Sequence, residues 1–266
     1  MKIGAVLHRI DQLAWKATDA VLAAIGQEAL AAKTQGWIVS PVADGSWLVR
    51  FAHSGPNGVF SHFDVAFVND EPGEVVPREP PVRLEGFEEA RFTARQTAID
   101  AARLLCPRPY NTVVIPASID GHKGWYVYLL VGKVKEHEVP MAGHIRVLVS
   151  ADGGEVLENT PLSNTCLILE PTDDEGRPVK PEVLVSSHIL TPTPTEAHVF
   201  LSYSSPAPLV ISTEAGIWGV MRGETLFLRS LEELPDVSDE ECRELPGEEC
   251  GEPGGGDSAG GDDLER

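Results

Sequence analysis

The side chains in this sequence that could do chemistry are histidines set beside carboxylates or hydroxyls. Glu136, His137, Glu138 and His144 fall within one short stretch, and a tight hairpin there would offer a zinc ion two imidazoles and a carboxylate. The spacing matches no established ligand register, so a solvated loop between strands is the preferred reading. His188 and His198 flank Thr191-Pro192-Thr193-Pro194-Thr195 and could face one another across a hairpin, but two histidines alone do not make a site and ordinary strand histidines are the preferred reading. Ser186-Ser187-His188 and Ser202-Tyr203-Ser204-Ser205 place hydroxyls near a histidine, but no GxSxG turn or catalytic cysteine context accompanies them. Asp173-Asp174-Glu175-Gly176 lacks the alternating oxygen ligands of a calcium loop. Glu88 and Glu89, adjacent on a helix, point in different directions and cannot share a substrate. Gly254-Gly255-Gly256 has neither a strand before it nor a helix after it, so it forms no phosphate cradle. These residues lead to a protein with no catalytic residues, no metal and no cofactor. The alternative is a metal-dependent or hydrolytic enzyme using His137/His144 or His188/His198.

Charge narrows the partner. The chain has 266 residues and a net charge of −20. Residues 231–266 hold 14 Asp/Glu against 2 Lys/Arg, which leaves −8 for residues 1–230. A field of this sign repels phosphate backbones and anionic membranes and favours encounter with basic proteins. No apolar run approaches the roughly 20 residues that span a bilayer. The N-terminal MKIGAVLHRIDQLAWKA is interrupted by His8, Arg9 and Asp11 before a signal-peptide core forms. A cytoplasmic location is expected from the sequence as it stands, or a periplasmic one if translation starts further upstream. Among the four cysteines, Cys106 and Cys166 flank core elements; two buried free thiols are expected, with a bridge conceivable in an oxidising compartment. Cys242 and Cys250 fall in the polar tail, where exposed thiols are expected.

Hydrophobic periodicity supplies the elements. Ile10, Leu13, Ala14, Ala17, Val21, Ala24 and Ile25 form one stripe of a helix over 6–33, weakened at Gly26 and ended at Gly36. Strands follow at Gly36–Ser40, Trp47–Phe51 and Phe60–Val68, then a proline-rich linker from Pro77 to Pro81. A second stripe, Phe87, Ala90, Ala94, Ala98, Ala101 and Leu105, stops at Cys106-Pro107-Arg108-Pro109. Strands are expected next at Asn111–Ser118, Trp125–Gly132, His144–Ser150 and Glu155–Asn159. Residues 161–230 read as short strands, including Val183–Leu190, Ala197–Tyr203, Leu209–Ser212, Ile217–Met221 and Thr225–Leu228. Beyond Leu231 the apolar content is too low to offset ordering entropy, and disorder is expected there.

The two helical stripes head similar units. Trp47-Leu48-Val49 corresponds to Trp125-Tyr126-Val127, Phe63–Val68 to Ile145–Ser150, and Gly73-Glu74-Val75 to Gly154-Glu155-Val156. The spacing suggests a degenerate duplication of a helix followed by an antiparallel meander. The alanine-rich helix, the Trp125–Leu129 strand and the closing hairpin Val147–Leu157 make 87–159 resemble PepSY-like modules, with 12–76 as a divergent copy. The resemblance implies a helix laid across a cystatin-like sheet, no catalytic residues, and binding or restraint of peptidases in secreted or envelope proteins.

The expected architecture is therefore α+β: a divergent helix-plus-sheet unit at 1–76, a linker at 77–86, a PepSY-like unit at 87–160, a β-rich segment at 161–230, and an acidic tail at 231–266. Tyr126 and Tyr128 share one face of their strand and Trp125 the other, so the tyrosines are candidates for an exposed recognition surface, as is Trp125 on the opposite side. The function expected is that of a non-catalytic protein-binding module, in a specific version an inhibitor or immunity-type antagonist of a basic effector.

Overall fold

Alanine and leucine at three- and four-residue spacing wind the first helix, α1 (Ile3–Ile25), and Leu7, Ile10, Leu13, Ala14, Ala17 and Val21 are its buried stripe. The coordinates are a computed structural model describing residues 3–42, 45–119 and 122–230. Expectations for the acidic tail, for Cys242 and Cys250, and for the turn residues 43–44 and 120–121 lie outside these. Gly26, at φ 81°, separates α1 from α2 (Gln27–Lys33), so the single helix expected over 6–33 is two.

The change to two-residue periodicity produces β1 (Gly36–Pro41), β2 (Trp47–Gly55), β3 (Gly58–Val68) and β4 (Glu71–Arg83), an antiparallel sheet in that order. The proline-rich linker expected at 77–86 is corrected here, since Pro77 to Pro81 belong to β4. An edge strand pairs on one side only, so prolines lacking an N–H fit the unpaired side.

The second unit repeats the order of elements. After α3 (Phe87–Ala101) come β5 (Tyr110–Ile119), β6 (His122–Val131), β8 (Ile145–Ser150) and β9 (Val156–Pro161), an antiparallel sheet ordered β5-β6-β8-β9. The short β7 (Val139–Ala142), between β6 and β8, pairs instead with β10 (Leu167–Leu169). At the β8–β9 turn Gly153 adopts φ 83° against the backbone of α3, where a Cβ would strike Ala90 and Ala94. Thr97 donates to its carbonyl at 2.8 Å.

The third segment contains β11 (Leu184–Ser187), α4 (Glu196–Ser204), β12 (Leu209–Thr213), β13 (Gly216–Met221) and β14 (Glu224–Arg229), with sheet order β11-β12-β13-β14. The strand expected at Ala197–Tyr203 is corrected to α4. Its run Ala197–Ser202 is buried throughout, and such a run carries no period with which to tell strand from helix. Topology decides: β11 and β12 are parallel, and a parallel pair requires a crossover. Thr195 caps α4, accepting from the His198 backbone while the His198 imidazole accepts from Thr195 N–H at 3.0 Å.

Each of the first two sheets lies between helices. The largest core joins Leu7, Leu13 and Val21 of α1 to Val49, Phe51 and Phe67 of the first sheet, Val113, Tyr128 and Leu130 of the second, and Phe200 and Leu201 of α4. On the other side, Ala94 and Ala98 of α3 meet Trp125, Val127 and Val147, while Phe92 meets Ile38 and Val59. Two buried α3 cations tie the units. Arg91 donates to Val39 O and to Ser40 Oγ (3.1 Å), and Arg95 to Gln35 O (3.2 Å) and Thr112 Oγ1 (2.7 Å). Burial lowers both guanidinium pKa values to about 10, still fully protonated near neutrality. The carbonyls and the Trp125 and Trp37 rings take the place of their hydration.

Cys106 and Cys166 are joined, S–S 2.08 Å, which corrects the expectation of two free thiols. The pairing of β10 with β7 brings Cys166 beside the segment leaving α3. Among the described residues, no helix is long and apolar enough to cross a membrane.

Candidate protein-interaction surface

The pleat of β6 sends Trp125 toward α3 and Tyr126 and Tyr128 toward α1 and α4, as alternation requires. Neither face is open. Trp125 is 2% exposed and Tyr128 0%, and Arg146 lies 5.3 Å above the half-buried Tyr126 ring. The exposed aromatic surface expected at Trp125, Tyr126 and Tyr128 is thus corrected to interior packing. Tyr128 Oη donates to Glu196 Oε1 at 2.9 Å, and Arg146 Nη1 donates to the same oxygen at 2.8 Å. Burial and the Glu196 charge push the Tyr128 phenol far above its ordinary range.

The histidine constellation of 136–144 does not assemble. The buried Glu138 carboxylate turns back to accept from Val134 and Lys135 N–H (2.8 and 3.2 Å) and from Arg108 (3.0 Å), which hold its pKa at about 2. His137 approaches Glu170 at 3.9 Å. His144 accepts from Val131 N–H at Nδ1 (3.0 Å) and donates from Nε2 to Pro140 O (2.9 Å), so both nitrogens of a neutral ring are committed. Burial lowers its pKa to about 4.

His188 and His198 do meet, edge to face with centroids 5.0 Å apart, but from the end of β11 and the first turn of α4. His198 spends Nδ1 on the α4 cap, and burial, with His188 and His144 nearby, lowers its pKa to about 3. The Thr191 hydroxyl donates to Thr193 O (2.6 Å), so its oxygen accepts from His188 Nε2 (2.8 Å). Among the described residues, no group of three or more His, Cys, Asp or Glu side chains is arranged to hold a metal.

An open strand edge lies in the third segment. Leu184 N–H donates to Pro208 O (3.0 Å) and His188 N–H to Ser212 O (2.7 Å). Alternate residues of a parallel strand address opposite neighbours, so Val185 and Ser187 turn their peptide groups away from β12. β11 is an edge strand, and on that side lies a groove of about 580 Å³. Ser163, Thr165 and Leu167, beside the disulfide, form its far wall. Val185 is 61% exposed and Ile189 76%.

The same sheet leaves an apolar outer face. Leu209, Ile211 and Val220 are buried on the inner face. Val185, Val210 and Gly219, paired in register with Leu226 beyond them, lie on the other, which Met221 and Leu228 extend. Leu226 is 65% exposed. An exposed apolar face beside an unpaired strand edge is a common setting for recognition.

No family model, curated protein or solved structure matches this chain.

Sequence reasoning looked for exposed aromatic residues on the second sheet, where Trp125 and Tyr128 are buried, and did not single out the edge strand β11. Val183–Leu190 was legible as a strand, but its position at the edge depends on β12 to β14 lining up to one side. The surviving signal was Val185 and Ile189 among serines, in a segment no charged residue interrupts.

Proposed function

We propose that the protein is a non-catalytic binding protein that takes up an extended segment of a basic partner along β11. The observation that carries this reading is the unpaired edge of β11 facing an open groove, which supplies backbone donors and acceptors for an added strand. The exposed apolar residues beside it would give side-chain pockets. A chain charge of −20 favours encounter with a basic segment. In its fuller form the protein is an inhibitor or immunity-type antagonist of a basic effector. A helix followed by a four-stranded meander, present twice, supports reading both units as PepSY-like. The disulfide supports an oxidising compartment. The satisfied hydrogen bonds of His144 and the capping role of His198 favour binding over the metal-dependent or hydrolytic alternative.

The test uses two extended peptides of alternating charge and valine, one lysine-based and one glutamate-based, followed by amide NMR at low salt. The lysine peptide is expected to shift Val185, Ser187 and Ile189, and to weaken at least tenfold on moving to high salt, as screened charge requires. Ser187→Pro removes an edge N–H the fold does not use, and Val185→Lys adds a repelling charge at an exposed position; each should abolish binding with unchanged circular dichroism. Equal response to the acidic peptide, or shifts confined to other surfaces, would overturn the proposal.

A further inference from the structure

A second cleft, of about 520 Å³, opens where three segments meet: α1, the start of β5 with the stretch after β6, and α4. Such junctions are common positions for small-molecule sites, and the volume lies in the usual range for one. Its lining is unlike the β11 groove. Asp11 and Trp15 come from α1, Lys133 from the stretch after β6, and Phe200 and Leu201 from α4.

Among the described residues, neither Asp11 nor Lys133 of this cleft is held in an ion pair. The Asp11 carboxylate accepts from Asn111 Nδ2 at 3.0 Å and, among the described residues, has no cationic partner. Lys133 Nζ donates only to Ser204 O, at 3.4 Å, and no carboxylate lies within ion-pair distance, although Glu136 is on the same rim. Burial raises the Asp11 pKa to about 6, eased only by the Asn111 hydrogen bond, and lowers that of Lys133, which the Glu136 charge offsets in part without forming an ion pair. Asp11 and Lys133 are also not paired with one another. Two opposite charges unpaired with one another in one cleft, which a half-exposed indole and apolar side chains also line, are complementary to a molecule with the reverse arrangement.

We propose that this cleft binds a small zwitterion with an apolar body, an α-amino acid or dipeptide with leucine- or phenylalanine-like side chains. Its ammonium sits on Asp11, its carboxylate on Lys133, and its apolar part against Trp15 and Phe200. The inference stands apart from the strand-addition reading, because it uses no residue of the β11 groove.

The probes are leucine, phenylalanine and leucyl-leucine, together with 3-methylbutylamine and 4-methylpentanoate, which each keep one charge of leucine. Binding is followed on the full chain through the Trp15 indole resonance, assigned with Trp15→Phe. At least one zwitterion is expected to bind tenfold or more tighter than either singly charged analogue. Asp11→Asn and Lys133→Met should each remove that advantage with unchanged circular dichroism. Binding of the amine alone should survive Lys133→Met, and binding of the acid alone should survive Asp11→Asn. The proposal is overturned if no zwitterion shifts Trp15 at concentrations of roughly 10 mM, the weak end of meaningful affinity. It is equally overturned if the singly charged analogues bind as well as the zwitterions.

Discussion

Opening the Cys106–Cys166 disulfide tests the third segment's attachment to the body of the protein. The two cysteines are 60 residues apart, and the loop between them contains all of β5 to β9. Loop-closure entropy rises from ~3 kcal/mol for a loop of about 15 residues to ~4.7 for about 100, so this bridge contributes about 4 kcal/mol by constraining the unfolded chain. In a chain of this size each kcal/mol shifts the melting temperature by roughly 2–4 °C, giving an expected fall of about 10 °C. The assay is thermal unfolding of the Cys106→Ser/Cys166→Ser double variant beside wild type with and without reductant. Reduced wild type and the double variant should melt together, both well below the oxidised protein. Hydrogen exchange at β7 and β10, whose pairing the bridge adjoins, should accelerate more than at β2 and β3. A double variant melting within about 2 °C of wild type would refute the reasoning, since the entropic argument predicts several times that shift. So would alkylation of Cys106 and Cys166 in the unfolded, unreduced chain.

Two further outcomes are expected. His144 and His198 are held neutral in the fold, at pKa about 4 and about 3, against 6.5 for a free imidazole. The unfolded chain therefore binds protons first, and their contribution is full above pH 6.5 and lost as pH falls toward 4. Each costs about 1.4 kcal/mol per pH unit, so the pair costs about 4 kcal/mol at pH 5, offset in part by Asp11, whose raised pKa acts in the opposite direction. Urea denaturation at pH 7 and pH 5 measures the loss, and a His144 ring titrating near 6.5 in folded protein would contradict it. Tyr128→Phe removes one donor from Glu196, leaves Arg146 in place, and should cost about 1 kcal/mol. Glu196→Ala leaves the buried phenol without its acceptor and takes from Arg146 its 2.8 Å partner, and should cost about 2–3 kcal/mol. Equal losses for the two variants in urea denaturation would show that the hydroxyl and carboxylate do not act as one network.

The elements legible from the chain are those whose information is local. The stripe from Ile10 to Val21 reads as α1 because a helix returns a side chain to the same face every three or four residues. The alternation of Phe63, Val65 and Phe67 reads as β3 for the analogous reason. The failures are non-local. Pro77 to Pro81 reads as a linker until β3 is seen to pair with one side of it. Ala197–Ser202 reads as a strand until a parallel pair demands a crossover. Cys106 and Cys166 remain two thiols until β10 folds back onto β7.

The candidate site follows the same division. From composition alone came the acidic charge, and from spacing came the opposite faces of Trp125 and Tyr128, because both are properties of the chain itself. Whether a face meets water is a property of what lies over it. The arrival of α1 and α4 on the second sheet buried Tyr128, while among the described residues no strand pairs with the outer edge of β11, and Asp11 met Lys133's cleft only through helices and strands distant in sequence. Pairing, burial and charge neighbourhood arise from long-range contacts, and for that reason only the folded molecule decided which edges and clefts are open.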